Sequence, residues 1–504
     1  MNLRPGKIFA GGSDTQGVGT MTKTWGLFAL LFIISMFFAA IVVNFGTLSF
    51  LAIVVTLVAI PLVYLTIAYP DKGVYVYLIC AYSVMFFSPR MIGKEVPVGT
   101  TLDAMLALLL FGFFLKQKYR KHWDVLKGGI SLMIFIWLGY NLVQVINPNA
   151  SSRLAWVYTV RSVALVTLAY FVFLFHIKNR NFIRTIIKLW LAFSIIGAIY
   201  AFKQEHFGFA NFEQIWLASD PKYKSLYYIG NHWRVFSIYA DPATFAYNMV
   251  VSIILCLCLM TGPLATWKKV ALAVLSGFFF LCMLYSGTRS AYVLIPVGFV
   301  FYSILNFRKQ IIWFWIIAAP LLLVLRFMPP YTYTIYRFQT AFKPSEDASY
   351  NVRAANQKRI QPYIQSHPLG GGLGSTGTWG QRFSPNSYLA NFPPDSGYVR
   401  VAVELGWVGL LVFCTFLFVI LRRGIKNYFR IRDPELKSYC MAMVIIVFVL
   451  GVGNFPQEAL VQYPLSVYFY LAVALIVVTY KLDKEAREQL ISPETQTKPE
   501  DVRA

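Results

Sequence analysis

Acidic residues are scarce: 22 Asp and Glu stand against 45 Lys and Arg, giving a formal net charge of +23 over 504 residues. Charge of either sign is itself thin, at 13% of residues, against about a quarter in soluble domains. Histidine is limited to five residues, and no His, Cys, Asp and Glu cluster has the spacing of a metal site. There is neither a phosphate loop nor a dinucleotide fingerprint, which leaves ATP-driven transport without support. The six cysteines, Cys80, Cys256, Cys258, Cys282, Cys414 and Cys440, all fall in apolar runs. Cys256 and Cys258, two apart on a helix, point to different faces. They read as small buried hydrophobes rather than a disulfide framework. No internal repeat is visible.

Apolar sequence is what the chain has in excess: 58% of residues are hydrophobic and the mean hydropathy is +0.58. The apolar residues come in runs of about twenty, the length that crosses a hydrocarbon core as a helix. The runs are continuous rather than alternating, which excludes a closed barrel. The expected fold is all-α, a polytopic transmembrane helical bundle of about 12–14 spans. Spans are expected near 25–43, 47–69, 74–88, 101–115, 129–146, 154–177, 183–202, 243–261, 268–286, 290–306, 310–328, 397–421, 436–453 and 460–480. Trp25 to Val43 is too long for a signal-peptide core and lacks a clear small-residue cleavage site, so it reads as an uncleaved span. Residues 1–24 read as a disordered cytoplasmic terminus, 25–480 as the transmembrane domain, and 481–504 as a disordered polar tail.

The positive charge sits where short loops join these spans, as at Lys116 to Lys121, Lys178 to Lys188, and Arg422 to Arg432. Such residues mark the cytoplasmic side. There is no separate soluble domain to grip a duplex, so nucleic acid is not an expected partner. With the amino terminus inside, every strongly basic short loop lands in the cytoplasm, and so does the carboxyl terminus. Two long loops, 203–240 and 329–396, then lie outside. They nevertheless carry Lys222, Lys224, Arg234, Arg337, Lys343, Arg353, Lys358, Arg359 and Arg382. Short outside loops normally avoid Lys and Arg. Retaining them there points to an anionic partner on that face, in addition to the surrounding membrane lipids.

Arg289 is the sharpest single residue. It follows Tyr285-Ser286-Gly287-Thr288 at the outer end of a span. A guanidinium at membrane depth costs roughly 2.5–3.5 kcal/mol and needs a partner, either a diphosphate that takes paired donors or nearby backbone carbonyls. Arg234 precedes Asp241-Pro242, which opens another span; Asp241 reads as a helix N-cap with proline at the first helical position. Arg353 and Arg359 fall in Ser349 to Gln365, a stretch of helix-forming composition inside the larger loop. Together with Arg289, the residues Arg234, Arg353 and Arg359 can form an electropositive mouth facing one compartment. Arg161, well inside a span, is either a buried ion-pair member or part of that mouth. Gly370, Gly371, Gly372 and Gly374 let backbone approach something closely. Asp395 precedes Ser396-Gly397 at a span start, where it is either an N-cap or a base for a hydroxyl. His367 is an alternative base or a turn-stabilising residue. Glu404 lies four residues after Arg400, the spacing of an internal helical ion pair.

These residues resemble the O-antigen ligase and O-antigen polymerase superfamily of bacterial envelope proteins in four segments. Arg234 to Pro242 looks like the family's arginine segment before a helix-opening Asp-Pro. Leu284 to Tyr292, reading Leu-Tyr-Ser-Gly-Thr-Arg-Ser-Ala-Tyr, resembles the Thr-Gly-Ser-Arg-Gly/Ser-Ala motif. Arg353 through His367-Pro368-Leu369-Gly370 to Gly374 is similar to the loop pattern ending His-Pro-Leu-x-Gly-x-Gly. Asp395 to Leu411 resembles the motif that opens the following helix.

The resemblance implies a metal-independent glycosyltransferase without cofactor. It would act on polyprenyl-diphosphate-linked oligosaccharide at the outer face of the bacterial cytoplasmic membrane, beside other polysaccharide assembly and chain-length proteins. It also implies that Arg289, Arg234 and Arg353 contact the diphosphate. Where ligases usually show His-Asn, this chain has Asp395-Ser396, which favours a polymerase with Asp395 as replacement base. Tyr350, Tyr363, Trp379 and Tyr388 read either as sugar-stacking or as membrane-interface aromatics. Two rivals remain: a ligase that differs only in acceptor, and an anion or lipid-glycan transporter. A transporter calls for a polar route through the span centres and often for paired repeats; here the charge clusters at one rim.

Overall fold

The computed structural model describes residues 60–87, 99–119, 123–307, 333–341 and 348–495, with isolated positions elsewhere. Most of the expected span 25–43, the 47–59 part of the span expected at 47–69, most of 310–328, and the expected disordered stretch 1–24 lie outside the described residues. The chain divides into two compact units, Met1–Leu65 and Thr66–Ala504, and everything below concerns the second.

In chain order the helices are α1 (Pro70–Phe87), α2 (Gly99–Tyr119), α3 (Gly129–Val143), α4 (Arg153–Val163), α5 (Ala169–His176) and α6 (Arg180–Phe207). A small subdomain follows, with α7 (Asn211–Ala218), α8 (Pro221–Tyr227) and a hairpin of β1 (Tyr228–Ile229) and β2 (His232–Trp233). Then come α9 (Pro242–Met260), α10 (Thr266–Tyr285) and α11 (Arg289–Leu305). The larger loop contains α12 (Tyr333–Thr340), α13 (Ala348–Ser366) and α14 (Gly377–Phe383), and the chain closes with α15 (Gly397–Arg430), α16 (Pro434–Gly453) and α17 (Leu465–Thr495). Among the described residues, 8 helical runs are long and apolar enough to cross a membrane. The protein is an all-α, multi-pass membrane protein, as its hydropathy predicts.

Two Asp-Pro pairs set the central helices. Asp241 caps α9 through Ala243 and Thr244 N–H, and Asp433 caps α16 through Glu435 and Leu436 N–H, each with proline at the first helical position. Both helices are apolar all round and sit in the middle of the bundle: 89% of the α9 window and 83% of the α16 window are buried, against 17% for α10. Polar side chains pin neighbours together inside. Ser252 on α9 donates to Ser194 on α6 at 2.7 Å, and Asn427 on α15 donates to the Ile476 carbonyl on α17 at 2.9 Å.

Three elements depart from the sequence reading. The span expected at 154–177 is broken between α4 and α5 by a 3-10 turn at Leu165–Leu168. No proline or glycine marks the break; the freed Val163 carbonyl instead accepts from the Trp137 indole at 3.2 Å. The tail expected to be disordered from 481 is helical as far as Thr495. Ion pairs at i,i+4 support it, Lys484–Glu488 and Arg487–Asp483 among them. Finally, α15 is kinked at Gly406, whose φ of 72 lies in the left-handed region.

Candidate functional site

The site is built around the turn Ser286-Gly287-Thr288 that joins α10 to α11. Gly287 has φ 59, which allows the chain to reverse in so few residues. Arginines from two other segments clasp it. Arg234 donates to the Ser286 carbonyl at 2.9 Å and to Thr288 Oγ1 at 3.0 Å, and also reaches the Leu226 carbonyl at 3.3 Å. Arg337, buried on α12, donates to the Gly287 carbonyl at 2.8 Å. Both cations thus meet the carbonyl-rich carboxyl end of α10, where a helix favours positive charge. Thr288 Oγ1 also donates to the Pro242 carbonyl at 3.2 Å, which ties the turn to the start of α9.

Arg289 is the first residue of α11, where its charge opposes the helix dipole instead of complementing it. It lines a cavity of about 530 Å³ together with Ser290, Tyr350, Arg353 and Tyr398 near the loops. Deeper in, Leu417, Leu421, Val447 and Phe448 from α15 and α16 make the wall apolar. Tyr398 donates to the Gly451 carbonyl at 2.8 Å. Tyr247 of α9 hydrogen-bonds Ser290 Oγ and the Gly453 carbonyl, both at 3.1 Å. These tyrosines fix the mouth from below.

Arg353, half-buried on α13, also lines a smaller depression with Asn356, Phe392, Asp395 and Ser396. The carboxylate and the guanidinium therefore share one wall. Ser396, not Asp395, caps α15, accepting from Val399 N–H, so Asp395 is left out of the helix cap. Although Asp395 keeps an exposed face, the residues packed around it strip part of its hydration and push its carboxyl above the ordinary aspartate range. Arg353 opposes that shift.

The glycine segment is a fastening inside the protein. Gly371 N–H donates to the Val403 carbonyl and Gly372 N–H to the Glu404 carbonyl, both at 2.9 Å. A Cβ on Gly370 would lie 2.4 Å from Gly406 N, and one on Gly406 would lie 1.9 Å from the Pro368 carbonyl oxygen. The something that the glycines approach is the kink of α15. Glu404, buried below it, accepts from Gly374 N–H at 3.0 Å and from Thr376 Oγ1 at 2.5 Å. Arg400 pairs with Glu404 at 3.3 Å and with Glu458 at 2.6 Å.

Of the residues singled out from sequence, Arg289, Arg353 and Asp395 meet at or beside one cavity. Arg234 supports the turn from behind. Arg359 is exposed on α13 and is not on the cavity wall. His367 is stacked on Tyr363 at 3.9 Å and hydrogen-bonds Ser366 Oγ and the Tyr363 carbonyl within the turn that ends α13. Arg161 pairs with Asp103 at 2.7 Å, and Tyr463 donates to the same carboxylate at 3.2 Å, so it belongs to an ion pair away from that cavity. Among the aromatics, Tyr350 lines the cavity, whereas Trp379 stacks on Tyr158. Sequence reasoning missed the part taken by Arg337. Its only signal was membership of a basic loop.

No group of His, Cys, Asp and Glu able to hold a metal ion occurs among the described residues. Residues 271–414 match the family model described as O-Antigen ligase. That stretch begins in α10, includes Arg289, Arg353 and Asp395, and ends in α15. No curated protein matches the chain. Over that stretch the match agrees with the resemblance to the O-antigen ligase-like superfamily read from the motifs, while the apolar cavity wall from Leu417 onward lies beyond it.

Proposed function

We propose that this protein polymerises lipid-linked repeat units of a surface polysaccharide, as in O-antigen or exopolysaccharide synthesis. Members of the matched family are glycosyltransferase-like enzymes of polysaccharide assembly, which supports the reading; the polymerase activity is our own step. The observation that carries it is the shared cavity. Arg289 and Arg353, far apart in the chain, line one mouth whose interior is apolar. That combination suits a substrate with a diphosphate at one end and a polyprenyl chain at the other.

In this reading Arg289, Arg353 and the amino terminus of α11 hold the diphosphate. A sugar hydroxyl of a second lipid-linked unit attacks the anomeric carbon of the donor glycan. The bond from that carbon to the diphosphate oxygen breaks, a glycosidic bond forms, and polyprenyl diphosphate leaves. Arginines facing the leaving group stabilise charge that grows only as the bond breaks, which lowers the barrier. Asp395 takes the hydroxyl proton. Its raised carboxyl is a better proton acceptor than an ordinary aspartate, and Arg353 limits the rise. Transfer is metal-independent, with arginine guanidinium groups in place of a metal cation. The mouth lies on the outer face of the cytoplasmic membrane and both termini lie inside, following the basic-loop rule.

Purified protein supplied with lipid-linked oligosaccharide and a chelator should yield longer glycans. Failure to elongate under those conditions, with transfer to a lipid core or a protein acceptor instead, would make it a ligase. Asp395 in place of the ligases' histidine is the reason to favour polymerisation.

A further inference from the structure

A second cavity of about 400 Å³ opens at the other end of the bundle, between α5 and α17. Position 481 lies sixteen residues along α17 from Leu465, ~24 Å at the helical rise. Leu465 itself adjoins the segment whose Phe455 and Pro456 line the arginine cavity. The two cavities are therefore separate and face opposite ends.

The walls of the second cavity are apolar, formed by Leu174, Phe175, Val477 and Val478. Its rim carries three exposed lysines from three separate segments, Lys127, Lys178 and Lys481. Lys127 lies just before the span that starts at Gly129, and Lys178 lies just after the span that ends at His176. Both are at headgroup level for helices of this kind. The Lys178 ammonium is 5.0 Å from the Phe175 ring centroid, which holds it at the opening. Glu485 also lines the rim and stands 3.8 Å from Lys481. That pair is about half exposed on both sides and contributes little; the lining carries three lysines and one carboxylate.

An anionic head at the lysines and a hydrocarbon tail on the wall would satisfy both halves of this opening. A zwitterionic lipid lacks the net charge, and free phosphate makes no use of the wall. We propose that the cavity is a binding site for an anionic phospholipid, with its phosphodiester among Lys127, Lys178 and Lys481 and an acyl chain against Leu174, Val477 and Val478. It is independent of the glycan-transfer reading.

Native mass spectrometry of the full-length protein tests it, with phosphatidylglycerol and phosphatidylcholine of matched chains offered in equal amounts. The wild type should retain phosphatidylglycerol preferentially. The K127Q/K178Q/K481Q variant should lose that preference by roughly a hundredfold, since each lysine near a membrane surface is worth about a fivefold gain. The K127R/K178R/K481R variant should keep it, and inorganic phosphate at millimolar concentration should not displace the lipid. Equal retention of the two lipids by the wild type would overturn the proposal. So would an unchanged preference in the glutamine variant, loss in the arginine variant, or displacement by phosphate.

Discussion

The carboxylate of Glu404 on α15 and the backbone N–H of Gly374 in the larger loop meet at 3.0 Å in the protein interior. Thirty residues apart in sequence, they turn a long loop into part of the bundle. The loop carries Arg353 on α13, so the position of the mouth depends on this fastening. A buried charge of this kind is stable only while paired and hydrogen-bonded. Arg400 and Thr376 provide that here.

Glu404→Ala should therefore destabilise the protein by about 3–5 kcal/mol, because it leaves Arg400 with one partner and strands the loop N–H groups. A lower thermal midpoint in detergent, together with faster proteolysis within 366–396, is the expected result. An unchanged midpoint would show that the loop is held by other contacts.

Gly406→Ala tests the other half of the same joint. Alanine would have to adopt φ 72 and place its Cβ 1.9 Å from the Pro368 carbonyl oxygen. The backbone conformation alone costs on the order of 1 kcal/mol, and the overlap forces α15 and the loop apart. Poor accumulation in the membrane is expected, with Gly409→Ala milder because its closest neighbours are side-chain atoms.

Arg289→Ala and Arg353→Ala should behave differently. Each removes a charge from the cavity wall while leaving the α15 fastening intact. Each should lower the rate of chain extension by about 100- to 1000-fold, the usual loss when one donor to a developing anion is removed. The proteins should still reach the membrane at wild-type levels. Glycans of normal length in either strain would remove that arginine from the reaction.

The pH profile isolates Asp395. Burial raises its carboxyl and Arg353 opposes the rise, so activity that needs the carboxylate falls as pH drops through the raised pKa. Removing the Arg353 charge lifts the carboxyl further. The acidic limb of the residual activity of Arg353→Gln should therefore move to higher pH than in the wild type. Asp395→Asn should abolish the limb with the activity. It should not destabilise the fold at neutral pH, because a carboxyl whose folded pKa is raised stabilises the folded state only at low pH, where it is protonated. An acidic limb unmoved in Arg353→Gln would separate the two residues.

Much of this was legible in the sequence because its signals are strong and local. Apolar runs of bilayer length mark the helices, and Asp241-Pro242 marks a helix start by cap chemistry alone. The Arg289 motif and the Asp395 segment were identifiable because a charged residue at a span end needs a reason. The break between α4 and α5 was illegible, since it is set by Trp137 reaching across from another helix and not by local breakers. The same holds for the glycines, whose freedom was evident but whose neighbour, the kink of α15, lies over thirty residues away. Arg359 looked equivalent to Arg353 in the sequence, and Arg161 stood open between an ion pair and the mouth. Only packing distinguishes an arginine paired to Asp103, one on an open surface, and one at the cavity.

Arg234 and Arg289 provide the sharpest contrast, since the resemblance implies one role for both. Arg234 spends donors on the Ser286 and Leu226 carbonyls and on Thr288 Oγ1, and we propose that it acts on substrate through the turn it holds. Hydrogen bonds from a charged group contribute about 1.5–3 kcal/mol when the carbonyls are left without a substitute. Arg234→Ala should accordingly lower the thermal midpoint and activity together, and Arg234→Lys should recover part of the midpoint through a single carbonyl contact. Arg289→Ala should lower activity by more than its effect on the midpoint accounts for. If Arg234→Ala instead kept its wild-type midpoint and lost only activity, Arg234 would be a direct diphosphate contact, and the turn would have to be held by Arg337 alone.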